Sequence, residues 1–199
     1  MNKNSPRENF KHLLNILSSD RFLKMEIRRN DVPFFIADYK IEKQDEMLDV
    51  IEKLKNNLSD KKIKVLDINL YDLSNDILKK NGDWDWYMEN ETSNDKDVLK
   101  EEFQAILDVQ NIIAPAIAEK LTTDYDILFI TGVGEVFPYI RSHNVLNNLQ
   151  KFAKDKPLVF FFPGEYTMYE DTSSNLKLFS ILPDDKYYRA TNIYEIDEV

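Results

Sequence analysis

A chain of 199 residues with 43% hydrophobic and 12% aromatic side chains can bury one substantial core and lies far from a disordered composition. A formal net charge of −10 gives no long-range attraction to polyphosphate, and the most basic stretch, RFLKMEIRRN at 21–30, reads as a solvated helix face, so direct DNA binding is disfavoured. The lack of cysteine excludes disulfides, cysteine-based zinc sites and thiol nucleophiles. No run approaches the roughly 18 apolar residues of a membrane span, and MNKNSPRENF lacks the apolar segment of a signal peptide. A cytoplasmic protein is the expectation.

The first predicted element is a helix. SPRE at 5–8 has the form of a capping box, with Ser5 at the N-cap, Pro6 at the first helical position and Glu8 three residues on. Phe10, Leu13, Leu14 and Leu17 then share one face, and residues 1–30 are expected to form an N-terminal helical segment. VPFFIADY at 32–39 is a continuous apolar run, too short for a helix and suited to a strand buried on both faces. Met47, Leu48, Ile51, Leu54 and Leu58 mark an amphipathic helix over 44–58, and KIKVLDINL at 62–70 a second strand. A short helix over 72–80 should stop at Asn81-Gly82. The acidic, turn-rich segment 83–97 reads as a mobile surface loop. Helical periodicity resumes with Leu99, Phe103, Ile106, Ile113 and Ile117, and Pro115 should kink or restart that helix. DILFIT at 126–131 is a third strand, followed by a helix carrying Val145, Leu146, Leu149 and Phe152. PLVFFF at 157–162 is a fourth strand, which Pro163-Gly164 should end. Two weaker strands are expected around 176–179 and 187–193.

Strands alternating with helices in this order predict a single three-layer α/β domain over 1–199 with a mostly parallel sheet and late edge strands. The topology is Rossmann-like or P-loop-like, without a phosphate-binding loop. Right-handed crossovers would bring Asp38, Asn69, Asp72, Gly132–Glu135 and Pro163–Tyr166 to the edge formed by the strand C-termini.

That edge is where chemistry would be sought. Gly132-Val133-Gly134 matches only the first two glycines of G-x-G-x-x-G, because the third position is Phe137, with Pro138 behind it. No G-x-x-x-x-G-K-[ST] occurs, and Glu135 would repel a phosphate, so the two glycines read as a turn rather than a cradle. His12 and His143 have no serine or acid at a recognisable spacing and read as structural. Asp38, Asp67, Asp72 and Glu165 could supply oxygen ligands to magnesium, although strand-end acids are commonly caps and turn formers. Asp124 and Asp126 precede their strand and belong at the opposite edge. These residues assign no catalytic, cofactor-binding or metal-binding group.

GVGEVFPYIRSHNVLNNL at 132–149, PLVFFFPGEY at 157–166, LKLF at 176–179 and DDKYYRATNI at 184–193 occur in that order and at those spacings. Together they resemble the BrxB family of BREX bacteriophage-defence systems, most closely over 126–193. The resemblance implies a cytoplasmic component of the defence machinery with no assigned catalytic activity or cofactor. Its expected partners are other BREX proteins: a PglZ phosphatase-like protein, a PglX methyltransferase and a BrxC ATPase. The matching motif positions are Gly132, Gly134, Pro138, Arg141, Pro163, Gly164, Tyr166, Tyr188 and Arg189, and Glu135 and Glu165 lie among them.

Arg141, Tyr166, Tyr188 and Arg189 are residue types that anchor interfaces, so a docking surface is expected at this edge. Alternatively Arg189 pairs with an acid such as Glu135 or Glu165 and pins the tail to the sheet. The function expected is a non-enzymatic adaptor that docks larger BREX components through this loop edge or through an acidic face. The competing expectation is a degenerate nucleotide-binding α/β protein or an unusual nucleotide-dependent enzyme.

Overall fold

The computed structural model describes residues 5–27, 32–82, 84–90, 92, 95–169, 173–183 and 190–197. Helix α1 (Pro6–Leu17) starts with the expected capping box: Ser5 Oγ accepts the Glu8 N–H, and Glu8 Oε2 accepts the Ser5 N–H at 2.7 Å. A single turn, α2 (Asp20–Leu23), follows, and residues 28–30 of the basic stretch lie outside the described residues.

Strands β1 (Phe34–Tyr39), β2 (Val65–Asn69), β3 (Ile127–Thr131), β4 (Leu158–Tyr169) and β7 (Thr191–Asn192) form a parallel sheet in the order β2-β3-β4-β1-β7. The mostly parallel α/β architecture read from the alternation of elements is what the chain adopts. Helix α3 (Gln44–Asp60) covers one face with α1, burying Leu13, Leu17, Met47 and Leu54 against Phe35, Phe129 and Phe161. The other face is covered by α4 (Leu70–Asn81), α7 (Ala114–Lys120) and α8 (Ser142–Leu149), whose Leu73, Ile117 and Leu146 meet Phe34, Ile130 and Phe160. Successive residues of β1 thus feed opposite cores, as the period of two requires. This is why the strands read as unbroken apolar runs. Each fully buried Phe or Leu contributes about 1.5–3 kcal/mol.

Parts of the chain differ from expectation. Pro163-Gly164 does not end the fourth strand: β4 runs on, leaves the parallel sheet after pairing Pro163 with Tyr39, and pairs antiparallel with β5 (Ser173–Leu178) from Gly164 onward. Strand β6 (Leu182–Pro183) completes this small meander. Pro163 has no N–H to give either sheet, but its carbonyl accepts the Phe179 N–H at 2.8 Å, so a strand terminator in sequence serves as a strand junction in space.

Within the expected loop, Trp84–Asn90 form helix α5, ahead of α6 (Lys96–Ile106). The helix restarts at Pro115, as expected: α6 ends at Ile106, the Asp108 side chain caps a π-turn (Val109–Ile113), and Pro115 stands in the first turn of α7. Phe152 falls beyond α8 and is exposed. Of the last predicted strand only β7 lies among the described residues, because 184–189 fall outside them.

Candidate functional site at the sheet edge

The parallel strands end along one edge, and the expected residues meet there. Asn69, the last residue of β2, accepts the backbone N–H groups of Tyr71 and Asp72 at 2.9 and 3.2 Å and so caps α4. Gly132 follows β3 with φ +70, and a Cβ on it would collide with the Asn69 side chain. The first glycine therefore satisfies both a left-handed turn and a helix cap. Gly134 has no positive φ; a Cβ there would sit 2.9 Å from Pro163 and Phe179, so its role is close packing against the β4 junction.

The turn that follows is held by its own side chains. Glu135 accepts Gln44 Nε2 at 3.1 Å, and Gln44 Oε1 in turn accepts the Tyr39 hydroxyl at 2.5 Å. Burial, with the Glu135 charge behind it, raises the Tyr39 pKa, so that hydroxyl stays a donor. Phe137-Pro138 is a cis peptide, Gln104 Nε2 donates to the Pro138 carbonyl at 3.1 Å, and the Arg141 guanidinium lies 5.3 Å over the Phe137 ring. Arg141 also borders a polar cleft with Gln104, Asp108, Asn144 and Asn148.

Beneath this turn lies a buried polar cluster that local sequence does not announce. Asp38 Oδ2 accepts the Tyr166 backbone N–H at 3.2 Å and Oδ1 accepts Asn192 Nδ2 at 3.2 Å, while the Tyr166 hydroxyl donates to the Ala190 carbonyl at 2.8 Å. Burial raises the Asp38 pKa against the pull of these two hydrogen bonds, and burial pushes the Tyr166 hydroxyl up to about 12. Tyr166, expected as a surface anchor, is 1% exposed and belongs to the core; Pro163 and Gly164 are buried with it. Tyr188 and Arg189 lie outside the described residues.

The acids do not converge. Asp67 bonds Lys55 Nζ at 2.7 Å and accepts the Thr131 hydroxyl at 3.1 Å, and Asp38 is committed to Tyr166 and Asn192. Among the described residues no group of three or more His, Asp or Glu could hold a metal ion. At the opposite edge Asp126 accepts the Lys64 N–H and Asp124 pairs with the Lys64 side chain, as their position before β3 implied. No helix among the described residues is long and apolar enough to cross a membrane. His12 stacks near Tyr194, its ring centroid 6.4 Å away, and His143 is half-buried on α8.

The order β2-β3-β4-β1 places β4 beside the point where crossovers diverge: β1 feeds α3 on one face, β3 feeds α8 on the other. Ligands of open α/β sheets bind in the crevice such a divergence creates. Here β4 continues past Pro163 into the antiparallel pairing with β5, and Asp38, near the C-terminal end of β1, accepts the Tyr166 N–H of that extension. The chain is a mostly parallel α/β domain whose fourth strand continues into an antiparallel meander. Residues 66–193 match the family model described as BREX protein BrxB. The chain is 34% identical over 173 residues to "BREX protein BrxB" of Bacillus cereus (strain H3081.97), covering 83% of this chain and 85% of that one. It is 29% identical over 175 residues to the protein of the same description from Escherichia coli O9:H4 (strain HS), covering 87% and 84%. No solved structure matches it. The chain belongs to the BrxB family of BREX defence proteins.

Proposed function

We propose that the chain serves BREX defence as a non-enzymatic docking component, holding larger proteins of the system rather than transforming a substrate. The observation that supports this reading is the continuation of β4 past Pro163 at the end of the sheet where α/β proteins bind ligands. Tyr166 is buried on that extension, its N–H held by Asp38, and the G-V-G turn is spent on a helix cap and on packing. What remains outward at this edge, Glu135 and Arg141, suits contact with another macromolecule. The partners are the other BREX proteins, with the PglZ-like, PglX-like and BrxC-like components as the first to try, and the setting is the cytoplasm. The competing reading, a nucleotide-dependent enzyme, predicts saturable heat on titrating ATP or GTP with magnesium. The docking reading predicts none, together with co-purification of at least one BREX protein with the tagged chain. Nucleotide binding with no co-purifying partner would overturn it.

A further inference from the structure

A second feature lies on the helices that cross from β2 to β3. Helices α4, α5 and α6, with the turn after β3, enclose a mostly apolar cleft of about 180 Å³. Its floor is Leu78, Leu99 and Val136, and its walls include Trp84, Tyr87 and Phe103. The rings form a continuous stack: Tyr87 lies 4.6 Å from Phe103, and Phe103 lies 5.0 Å from Tyr139. Small-molecule pockets run to about 300–1,000 Å³. This cleft has room for an anchoring side chain, not a whole ligand.

Its rim is unusual for a free surface. Half of the large exposed apolar residues among the described residues sit on these three helices: Tyr71, Trp86, Met88 and Val98, at 44, 50, 59 and 51% exposure. Tryptophan, tyrosine and methionine are enriched where proteins dock. Charge narrows the occupant further. Residues 70–104 carry ten acids against four lysines, and exposed Asp72, Asp76, Asp85, Glu89 and Glu101 stand on the same helices as the apolar rim. A second copy of this acidic chain would bring like charge against it. No strand edge lines the cleft, so an incoming strand has nothing to extend.

We propose that this cleft is the docking groove, and that it takes an amphipathic helix of a partner protein, with apolar anchors at i, i+3 or i+4 and i+7 flanked by lysine and arginine. The inference rests on the docking reading and names the surface and the chemistry of what docks. Basic flanks meet the acidic helices, and the apolar anchors cover Met88 and Trp86.

Trp84 and Trp86 are the chain's two tryptophans, so intrinsic fluorescence reports on this groove directly. The probe is a helical peptide of leucine at those anchor positions and lysine elsewhere, with a leucine-glutamate peptide of the same pattern as control. The full chain should give a saturable, 1:1 spectral shift with the lysine peptide, at least tenfold weaker with the glutamate peptide and weakened by salt. Met88→Glu should abolish the shift with an unchanged melting temperature, while Phe152→Glu, at an exposed apolar site outside the cleft, should leave it intact. Equal binding of both peptides, or retained binding by Met88→Glu, overturns the proposal. So does a dimer that Met88→Glu dissolves, which would put a second copy in the groove.

Co-purification with the BREX proteins then separates the two levels. If wild type and Met88→Glu retain a partner equally, docking occurs elsewhere and this groove is refuted while the docking reading stands. If wild type retains no BREX protein yet binds the lysine peptide as described, the docking reading fails and the groove's specificity is upheld.

Discussion

Asp38 and Tyr166 stand 128 positions apart in the chain, yet the Asp38 carboxylate accepts the Tyr166 backbone N–H at 3.2 Å, where β4 passes from one sheet into the other. The same carboxylate accepts the Asn192 side chain, so one buried acid ties the first strand, the junction strand and the last strand together. Asp38→Ala orphans the buried Tyr166 N–H, at about 1–3 kcal/mol for a group left unsatisfied, and leaves Asn192 Nδ2 only its longer bond to the Tyr166 carbonyl at 3.5 Å. A domain of this size loses about 2–4 °C of melting temperature per kcal/mol, so calorimetry should find a drop of several degrees. An unchanged melting temperature would mean that water replaces the carboxylate.

The same residue should leave a mark on the pH dependence. Its folded pKa is raised by burial above an unfolded value of about 3.9. The folded state then keeps its proton where the unfolded chain has lost it. Its favourable contribution is complete below about pH 4 and declines as pH rises through the folded pKa. Asp38→Asn removes this titration, so the variant's stability relative to wild type should improve as pH rises above about 4 in denaturant titrations. A difference independent of pH would contradict the assignment.

Glu46 gives the opposite sign. It accepts the Arg7 backbone N–H at 3.0 Å and the Lys43 ammonium at 3.0 Å, which hold its pKa down at about 2 and dock α1 onto α3. Its contribution is present above the unfolded value and is lost as pH falls through the folded one. Glu46→Gln should be less stable than wild type at pH 6, and the gap should close toward pH 2.

Gly164 and Gly82 make a controlled pair. A Cβ at Gly164 would collide with the Lys177 carbonyl of the neighbouring strand, whereas one at Gly82 meets nothing within 4 Å and suffers only from φ +81. Gly164→Ala should cost about 1–3 kcal/mol or more by overpacking against backbone. Gly82→Ala should cost about 1–2 kcal/mol, the left-handed penalty alone. Equal losses in thermal melts would show that the junction can open.

Glu135→Ala and His143→Ala should leave nucleotide hydrolysis by a reconstituted BREX complex unchanged. Glu135 contacts Gln44 rather than any reacting group, and a partner ATPase would do the chemistry. A loss of turnover in a complex that still folds and assembles would count against a docking role.

The parallel sheet was legible because strands buried on both faces must be apolar at every position, as in FFIADY and ILFIT, and that pattern is local. The continuation of β4 was not. Pro163-Gly164 looks like an end unless one knows that Lys177 packs against the glycine. Helix α5 was hidden by its acids and turn formers; what orders Tyr87 is Phe103, which lies on the next helix. The sheet-edge residues could be placed from crossover geometry, but the burial of Tyr166 depends on Asp38 and Ala190, and no spacing rule connects them.

The position of β1 has a consequence for synthesis. Both of its sheet neighbours lie far downstream, since β4 begins at Leu158 and β7 at Thr191. At about 5–20 residues per second, the roughly 120 residues between β1 and β4 take on the order of 6–24 s to make. Through that interval FFIADY is an apolar strand with neither edge paired, the kind of segment that invites association between nascent chains. The strand made first is therefore among the last to be enclosed.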